Sequence, residues 1–210
     1  MLMNRVETLV VNNPARRALQ RLYEAPLLVK LGGRTPGGRV AEIGCGSGYG
    51  TKLILDQFGA AHVDAVDLDP AMVRRARVRL SRYAGRVRLA QGDANDLRSV
   101  FGSDDSSYDA VFDFGIIHHI PDWRTTLTEI GRVLKPGGRL FFEEVTAAAL
   151  ARPTYRHLFV HPEADRFTAG EFLAELARHH LEVGDRWATR IGGDFLFGVA
   201  RYCPRASSGE

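Results

Sequence analysis

The fold of this chain is decided by one stretch, Val40-Ala41-Glu42-Ile43-Gly44-Cys45-Gly46-Ser47-Gly48-Tyr49-Gly50. Its apolar start predicts the end of a buried strand, and residues 51–58 after it have helical character. Glycine at every second position from 44 to 48 permits a tight turn from strand to helix, with almost no side-chain bulk above it. A ligand can therefore lie directly on the backbone of this turn.

The residues around the glycine turn restrict the kind of ligand. Glu42 places a carboxylate beside the turn, which repels a dinucleotide pyrophosphate and attracts a cation. The glycine spacing also departs from the dinucleotide pattern Gly-x-Gly-x-x-Gly, because Tyr49 stands at the sixth position counted from Gly44. No Gly-Lys-Ser/Thr ends the turn, so the P-loop of nucleoside triphosphatases is absent. The turn by itself still leaves the ligand open.

Strand-like and helix-like runs alternate along the rest of the chain. Such alternation predicts a mostly parallel sheet with helices on both faces, in which ligands bind outside the carboxyl ends of the strands. The last two strand-like runs are separated by Ile191-Gly192-Gly193, and they could form a hairpin or a pair within the sheet. The predicted strands cover residues 39–43, 63–67, 87–91, 110–114, 139–143, 181–189 and 194–202. The predicted helices cover residues 51–58, 70–81, 123–134 and 170–180, with a short helical turn around residues 96–101.

Acidic residues follow the second and third predicted strands. Asp67 can accept two hydrogen bonds from the ribose diol of a nucleoside, whereas Asp69 could instead cap the helix that begins at Pro70. Asp93 follows the third strand and is either a ligand contact or a turn residue. Dinucleotide enzymes also carry an acid at the end of the second strand, so Asp67 alone does not identify the ligand.

Taken in order, these landmarks resemble the motifs of class I S-adenosylmethionine-dependent methyltransferases. Residues 42–48 resemble the first motif, Glu-x-Gly-x-Gly-x-Gly, and residues 108–120 resemble the fourth strand with its His-His pair. The resemblance covers roughly residues 38–145, about half of the chain, and looks like the small methyltransferases of quinones, lipids and secondary metabolites. It implies a Rossmann-like, doubly wound, mostly parallel sheet of seven strands, with helices on both faces and an antiparallel last strand.

The resemblance also implies S-adenosylmethionine as the cofactor and S-adenosylhomocysteine as the product. In the family, the glycine turn and the fourth strand hold the methionine part, and the acids after the second and third strands hold the ribose and the adenine. Carried over position by position, the implied cofactor-binding residues are Glu42, Gly44, Cys45, Gly46, Gly48, Asp67, Leu68, Asp93, Ala94, Asp113 and Phe114.

A sulfonium methyl group is already electrophilic, so positioning for in-line displacement can supply most of the catalysis. A general base would help a hydroxyl, phenol or carbon acceptor, and His118 and His119 are the candidates, although each could instead be a packing residue at a helix start. Strand alternation allows only one of Glu143 and Glu144 to face the acceptor pocket. The candidate acceptor contacts are Tyr23, Tyr49, Glu143, His157 and His161.

No metal site is expected. Only the spacing His157-x-x-x-His161 favours one, and Pro162 would soon end the helix that this spacing needs. Cys45 and Cys203 suggest neither a disulfide framework nor a zinc site. The net charge is +3, and the arginines over residues 70–81 accompany apolar positions of helical period, which is typical of a solvated helix face and argues against a nucleic-acid partner.

Length and composition predict one domain over residues 1–203, with a helical leader at 1–31, an inserted lid at 145–169 and a disordered tail at 204–210. No apolar run approaches the ~20 residues of a membrane span, and polar residues interrupt the N-terminus where a signal peptide would be apolar. We therefore expect a cytoplasmic protein. The sequence does not determine its oligomeric state.

Three hypotheses for the function follow. The first is methyl transfer to a small-molecule acceptor that the leader and the insert cover. The second is a methyltransferase at a membrane surface, acting on a lipid headgroup or quinone, with Arg16, Arg17 and Arg21 of the leader on anionic lipid. The third is a non-catalytic methyltransferase-like subunit, against which the intact glycines and strand-end acids argue. A dinucleotide oxidoreductase is the remaining alternative, and the acceptor and the atom methylated stay open.

Overall fold

The computed structural model describes residues 12–152 and 165–205. It opens with a helical leader, in which α1 (Pro14–Leu19) begins at Asn13, whose side chain accepts a hydrogen bond from the backbone of Arg16 at 2.8 Å. A π-helical segment, Gln20–Glu24, continues the leader into α2 (Ala25–Gly32). Because α2 buries Ala25 and Leu28, the leader is attached to the body of the protein by packing.

Strands and helices then alternate, as the sequence predicts. Two short strands, β6 and β7, follow the last helix, and the long strand β8 ends the fold. The strands are β1 (Arg39–Ile43), β2 (His62–Asp67), β3 (Val87–Gln91), β4 (Tyr108–Phe114), β5 (Leu134–Val145), β6 (Leu181–Glu182), β7 (Trp187–Arg190) and β8 (Phe195–Tyr202). The helices are α3 (Tyr49–Leu53), prolonged by the π-helical segment Ile54–Phe58, α4 (Pro70–Arg79), α5 (Leu97–Phe101), α6 (Trp123–Val133), α7 (Ala147–Leu150) and α8 (Ala169–Arg178).

The sheet has the order β3-β2-β1-β4-β5-β8-β6, and β7 also pairs with β8. Strands β1 to β5 are parallel, and β8 is antiparallel to β5, so the expected doubly wound sheet with an antiparallel last strand is confirmed. The strand number differs from the expected seven, because β6 and β7 both pair with the outer edge of β8. Eight strands thus occupy seven positions, and the break between β6 and β7 contains Gly184 with a φ of 62°.

Two hydrophobic clusters fill the core, one on each face of the sheet. Alternation along β4 assigns Val111 to the cluster with α6 and α8, and Phe112 to the cluster with α2 and α3. The ring of Phe112 stacks on Phe141 of β5 at a centroid distance of 4.6 Å. Side chains at successive positions near the carboxyl ends of β4 and β5 therefore enter different environments.

From β1 the chain passes outward to β2 and β3 on one side, and it then returns to form β4 on the other side of β1. The strand order therefore reverses at β1. This reversal opens a crevice at the carboxyl end of the strands, the place where open α/β sheets bind ligands. The register aligns Ile43 with Val66 on one side and with Asp113 on the other. The glycine turn after β1 and the acid at the end of β4 thus meet at the crevice.

Within the described ranges, 12–152 and 165–205, no helix is long and apolar enough to cross a membrane. The expected lid at 145–169 is described only at its two ends, where α7 occupies Ala147–Leu150 and α8 begins at Ala169. His157 and His161, and the tail after residue 205, lie outside the described residues. The boundaries predicted for the leader, the lid and the tail remain predictions.

Candidate functional site

The glycine turn after β1 contains residues with left-handed backbone. Gly44 has a φ of 64° and Gly46 a φ of 51°, values that side chains rarely permit. A Cβ on Gly44 would lie 2.3 Å from Ile116, so packing requires this glycine. A Cβ on Gly46 would meet no atom within 4 Å, so its outer side is open space. Only the second glycine therefore leaves room for a ligand on the backbone.

Asp67, at the end of β2, fastens the glycine turn to the neighbouring strand. Its carboxylate accepts a hydrogen bond from the backbone of Gly46 at 2.7 Å and another from the backbone of Asp69 at 2.8 Å. Asp69 itself accepts from the backbone of Ala71 and caps α4, as the alternative reading of this residue predicts. The next side chain, Leu68, is 47% exposed and offers an apolar surface beside the turn.

Glu42 lies beneath the turn with its side chain buried, and its carboxylate accepts a hydrogen bond from the hydroxyl of Thr51. Burial raises the pKa of Glu42 to about 8, and the negative charges of Asp67 and Asp113 act in the same direction. Burial likewise raises the pKa of Asp67 above its ordinary value. Three carboxyl groups thus share a small volume that a positively charged ligand would stabilise.

The raised pKa of Glu42 predicts how stability depends on pH. Its ordinary pKa is 4.5 and its folded pKa is about 8. Between these values the unfolded chain has released a proton that the folded chain retains, so the free energy of unfolding falls as the pH rises. Glu42→Gln removes this titration, and its urea-unfolding free energy should fall less steeply than wild type from about pH 5 to about pH 8, by at most ~1.4 kcal/mol per pH unit.

Exposed Glu182 offers the matched control for this measurement, because Glu182→Gln removes a surface carboxyl and should leave the wild-type slope unchanged. Buried Glu24, with a pKa of about 8, and buried Glu144, with a pKa of about 7, contribute to the slope in all three proteins. Parallel curves for wild type and Glu42→Gln would mean that Glu42 is ionised in the folded protein at all these pH values.

Asp113 ends β4 with no exposed surface, and one oxygen accepts a hydrogen bond from the backbone of Ile116 at 2.9 Å. Burial, followed by the charge of Glu144, raises its pKa well above the ordinary value. Asp113 therefore fixes the turn after β4 and lies beside a second buried acid. Its expected contact with the methionine part of a cofactor remains a prediction.

Glu144, near the end of β5, holds His118 in place. The atoms Glu144 Oε2 and His118 Nδ1 are 2.6 Å apart, and the carboxylate also accepts from the backbone of Ile117 at 2.8 Å. The imidazole faces the turn after β4, since its Cε1 is 3.8 Å from the position of a Cβ on Gly115. His119 is buried beside it, with 4.2 Å between the ring centroids. The structure thus gives His118 an orienting carboxylate at the crevice.

Glu143 points to the opposite face of the sheet from Glu144, as alternation requires. It accepts a hydrogen bond from Arg16 of α1 at 2.6 Å, and Arg16 also pairs with Glu24. All three groups are buried or nearly so, and burial raises the pKa of Glu24 to about 8. This ion triad holds the leader over the end of β5.

The remaining predicted contacts are less closely grouped. Tyr49 begins α3 and lines a cavity of about 320 Å³ against the leader. Tyr23 lies on the outer side of the leader, where its hydroxyl accepts from Arg190.

Asp93 is exposed, and it accepts from the backbone of Asn95 at 2.9 Å, as the turn interpretation predicts. Ala94 and Cys45 are buried, and Phe114 is half-buried with its ring stacked near Phe112.

Sequence reasoning did not identify several partners in this site. The sequence predicts only a helical position for Thr51 and a surface charge for Arg16, whereas Thr51 binds Glu42 and Arg16 binds Glu143. The pairing of Asp113 with Glu144 had a usable signal. Because Asp113 is paired in register with Phe142, Glu144, two positions further along β5, lies on the same face of the sheet as Asp113.

Across the part of the chain that the structure describes, no group of three or more His, Cys, Asp or Glu side chains is placed to hold a metal ion.

A glycine turn after the first strand, with acids at the neighbouring strand ends, is the arrangement with which open α/β proteins bind a nucleoside at the topological switch point. Residues 40–138 match the family described as a methyltransferase domain. The chain is 35% identical over 115 residues to phosphoethanolamine N-methyltransferase 2 of Caenorhabditis elegans. The aligned residues cover 54% of this chain and 25% of that protein. It is 35% identical over 119 residues to the fatty-acid O-methyltransferase of Mycolicibacterium smegmatis, with 57% of this chain and 39% of that protein covered.

The fold agrees over a longer span. A SAM-dependent methyltransferase from Aquifex aeolicus matches the structure with a TM-score of 0.71 at 19% identity, covering 95% of this chain and 98% of that one. Residues 40–138 match a methyltransferase domain, and the fold is that of methyltransferases whose cofactor is S-adenosylmethionine. The resemblance carried by the glycine turn and the strand-end acids is thereby confirmed. The chain spans less than half the length of the two relatives.

The residues of the crevice fit this cofactor. The open side of Gly46 provides bare backbone on which the cofactor can lie, and Leu68 offers an exposed apolar surface beside the turn. The acids Glu42, Asp67 and Asp113 surround the same turn and complement a positively charged sulfur. Both the shape and the charge of the crevice therefore suit S-adenosylmethionine.

Proposed function

We propose that this chain methylates a small-molecule acceptor, which binds between the leader and the carboxyl ends of β4 and β5. One observation carries the proposal: the outer side of Gly46 is open while three carboxyl groups surround the turn. S-adenosylmethionine supplies an electrophilic methyl group on a positively charged sulfur. The protein's own contribution is then to hold the nucleoside and the acceptor in line, which accounts for most of the catalysis in our proposal.

The roles of individual residues in cofactor binding follow from their positions. Asp67 accepts from the ribose hydroxyls, and Asp93 with the backbone of Ala94 contacts the adenine. The turn from Gly44 to Gly48, with Cys45 within it, lies under the methionine part. In this proposal the positive sulfur lowers the raised pKa values of Glu42 and Asp113, so that these carboxyl groups ionise and provide negative charge when the cofactor binds. Leu68 and Phe114 provide apolar contacts.

Asp67→Ala tests the nucleoside site. The substitution removes the carboxylate that the proposal places on the ribose, so the affinity for S-adenosylmethionine should fall by ~1–3 kcal/mol, the cost of losing a charged hydrogen-bond partner. Isothermal titration calorimetry at pH 7 measures this change directly. Asp69→Ala is the matched control, because it removes only the cap of α4 and should lower stability without changing affinity. Affinity lost in Asp69→Ala and retained in Asp67→Ala would exchange the two roles.

We further propose that His118 is the general base for an acceptor with an acidic proton. The support is geometric, since Glu144 holds Nδ1 at 2.6 Å and leaves the opposite side of the ring toward the turn at Gly115. A carboxylate that accepts from Nδ1 fixes the tautomer in which Nε2 can accept a proton. His119 packs against this ring and serves as a support in our proposal.

The membrane-surface alternative has mixed support from the leader. Arg16 is engaged with Glu24 and Glu143, so it does not contribute to a lipid-binding surface. Leu19 and Leu22 of the leader, however, are 49% and 74% exposed. A small-molecule acceptor remains our first proposal, because the polar groups that line the crevice are the better-defined feature.

A further inference from the structure

A second charged cluster lies beside the crevice, and it is positive. The guanidinium groups of Arg17 and Arg79 each lie 5.9 Å from the centroid of the Tyr49 ring. Arg17 and Arg21 line the cavity of about 320 Å³ between the leader and α3, together with Tyr49 and Leu22. We call these three arginines the arginine cluster; it brings the last residue of α4 and two residues of the leader to one aromatic ring.

The arginine cluster has no acidic partner. Within residues 12–152 and 165–205, none of Arg17, Arg21 and Arg79 forms an ion pair with a carboxylate, and Arg17 Nε is buried without a hydrogen-bond partner. The preceding residue shows the contrast, because Arg16 is held between Glu24 and Glu143. The same helical turn therefore carries one neutralised arginine and one whose charge is left uncompensated.

The cluster is also attached to the cofactor turn. Arg79 donates a hydrogen bond to the backbone oxygen of Ser47 at 2.7 Å, and a second to the hydroxyl of the same residue. Burial, and then the charge of Arg17, lowers the pKa of Arg79 below its ordinary value, so the two guanidinium groups are near enough to repel each other. An anion between them would relieve this repulsion and satisfy the buried Nε.

We propose that Arg17, Arg21 and Arg79 form an oxyanion-binding site over the ring of Tyr49, which takes a carboxylate or phosphate group. The inference rests on the proposed function and extends it, because the site adjoins the cofactor turn and opens into the cavity under the leader. The oxyanion belongs either to the methyl acceptor or to the α-carboxylate of S-adenosylmethionine. Arginine suits both groups, since its planar fork binds carboxylate and phosphate through paired hydrogen bonds.

Calorimetric titration of the full chain with inorganic pyrophosphate, at low ionic strength, tests the site. Arg17→Gln and Arg79→Gln should each weaken pyrophosphate binding by about fivefold or more, because each removes one charged hydrogen-bond donor. Arg17→Lys should restore part of the loss. Arg74→Gln is the control, because it removes an exposed arginine from the same helix as Arg79 and should leave the affinity unchanged. Equal pyrophosphate affinity in wild type, Arg17→Gln and Arg79→Gln would overturn the proposal.

A second titration identifies the source of the oxyanion. If the cofactor supplies it, Arg17→Gln weakens binding of S-adenosylmethionine but not of its decarboxylated analogue. If the acceptor supplies it, Arg17→Gln leaves both cofactor affinities unchanged while pyrophosphate binding is weakened. If wild type binds S-adenosylmethionine but the Arg→Gln substitutions change no affinity in either titration, the oxyanion site is refuted and the proposed function is retained. Arginine-dependent pyrophosphate binding in a chain that does not bind S-adenosylmethionine refutes the proposed function and retains the site.

Discussion

Gly46→Ala should weaken the binding of S-adenosylmethionine by at least about 100-fold while the protein remains folded, which corresponds to roughly 2.7 kcal/mol of binding free energy. The added methyl group points into the open space above the turn, where our proposal places the cofactor directly on the backbone. The left-handed conformation, with a φ of 51°, costs an alanine about 1–2 kcal/mol of folding stability. Calorimetric titration gives the affinity, and urea unfolding gives the stability.

Gly85→Ala is the matched control for this experiment. Gly85 has a φ of 84°, and a Cβ there would also meet no atom within 4 Å, but it lies in an exposed turn before β3, away from the crevice. Both variants should therefore lose similar stability, and only Gly46→Ala should lose affinity. Wild-type affinity in Gly46→Ala would show that no ligand lies against this part of the turn, and the proposed cofactor site would have to move.

The features that the sequence predicts well are local ones. The glycine turn and the cap at Asp69 depend on residues close together in the chain, so the hydrogen bonds from the backbone of Asp69 to Asp67 and from the backbone of Ala71 to Asp69 follow from spacing. The alternation of strands and helices likewise determines the parallel sheet. The divided outer strand is harder to predict, because residues 181–189 form one strand-like run in the sequence and the break at Gly184 depends on pairing with β8.

The contacts of the leader could not be predicted in the same way. Arg16 binds Glu143 across 127 positions of sequence, and no local pattern indicates such a pair. The apolar residues Leu19 and Leu22 are exposed, whereas Glu24 and Leu28 are buried. The π-helical segment Gln20–Glu24 changes the number of residues per turn, so positions on its two sides do not share the face that an α-helical wheel gives them.

The separation of charge around the cofactor turn is a property of the fold. Strand ends contribute acids because β1, β2 and β4 finish side by side, whereas the arginine cluster comes from helices that pack above the turn. A ligand with a positive sulfur and a nearby oxyanion would match both parts. This agreement between two independent groups of residues supports the nucleoside site beyond the glycine motif itself.

His118→Ala should reduce the rate of methyl transfer to a hydroxyl or phenol acceptor by about 10²–10⁴-fold, the usual contribution of a general base. The affinity for S-adenosylmethionine should stay within about twofold of wild type, because in our proposal the acids and glycines of the turn hold the cofactor. Transfer from methyl-labelled cofactor to a panel of phenols, carboxylic acids and amines provides the assay. Amines that react as neutral nucleophiles need no base and should lose much less.

Substitutions of the two residues that contact His118 test whether this histidine acts as a general base or only as a packing residue. His119→Ala removes the neighbouring ring and should affect the rate far less than His118→Ala, although both side chains are buried. Glu144→Gln keeps the shape of the orienting group without its charge, and a carboxylate beside an imidazole stabilises the protonated ring. The acid limb of the rate profile should therefore move to lower pH in Glu144→Gln. A full rate in His118→Ala with phenol acceptors would leave the imidazole a structural role only, and positioning alone would then account for catalysis.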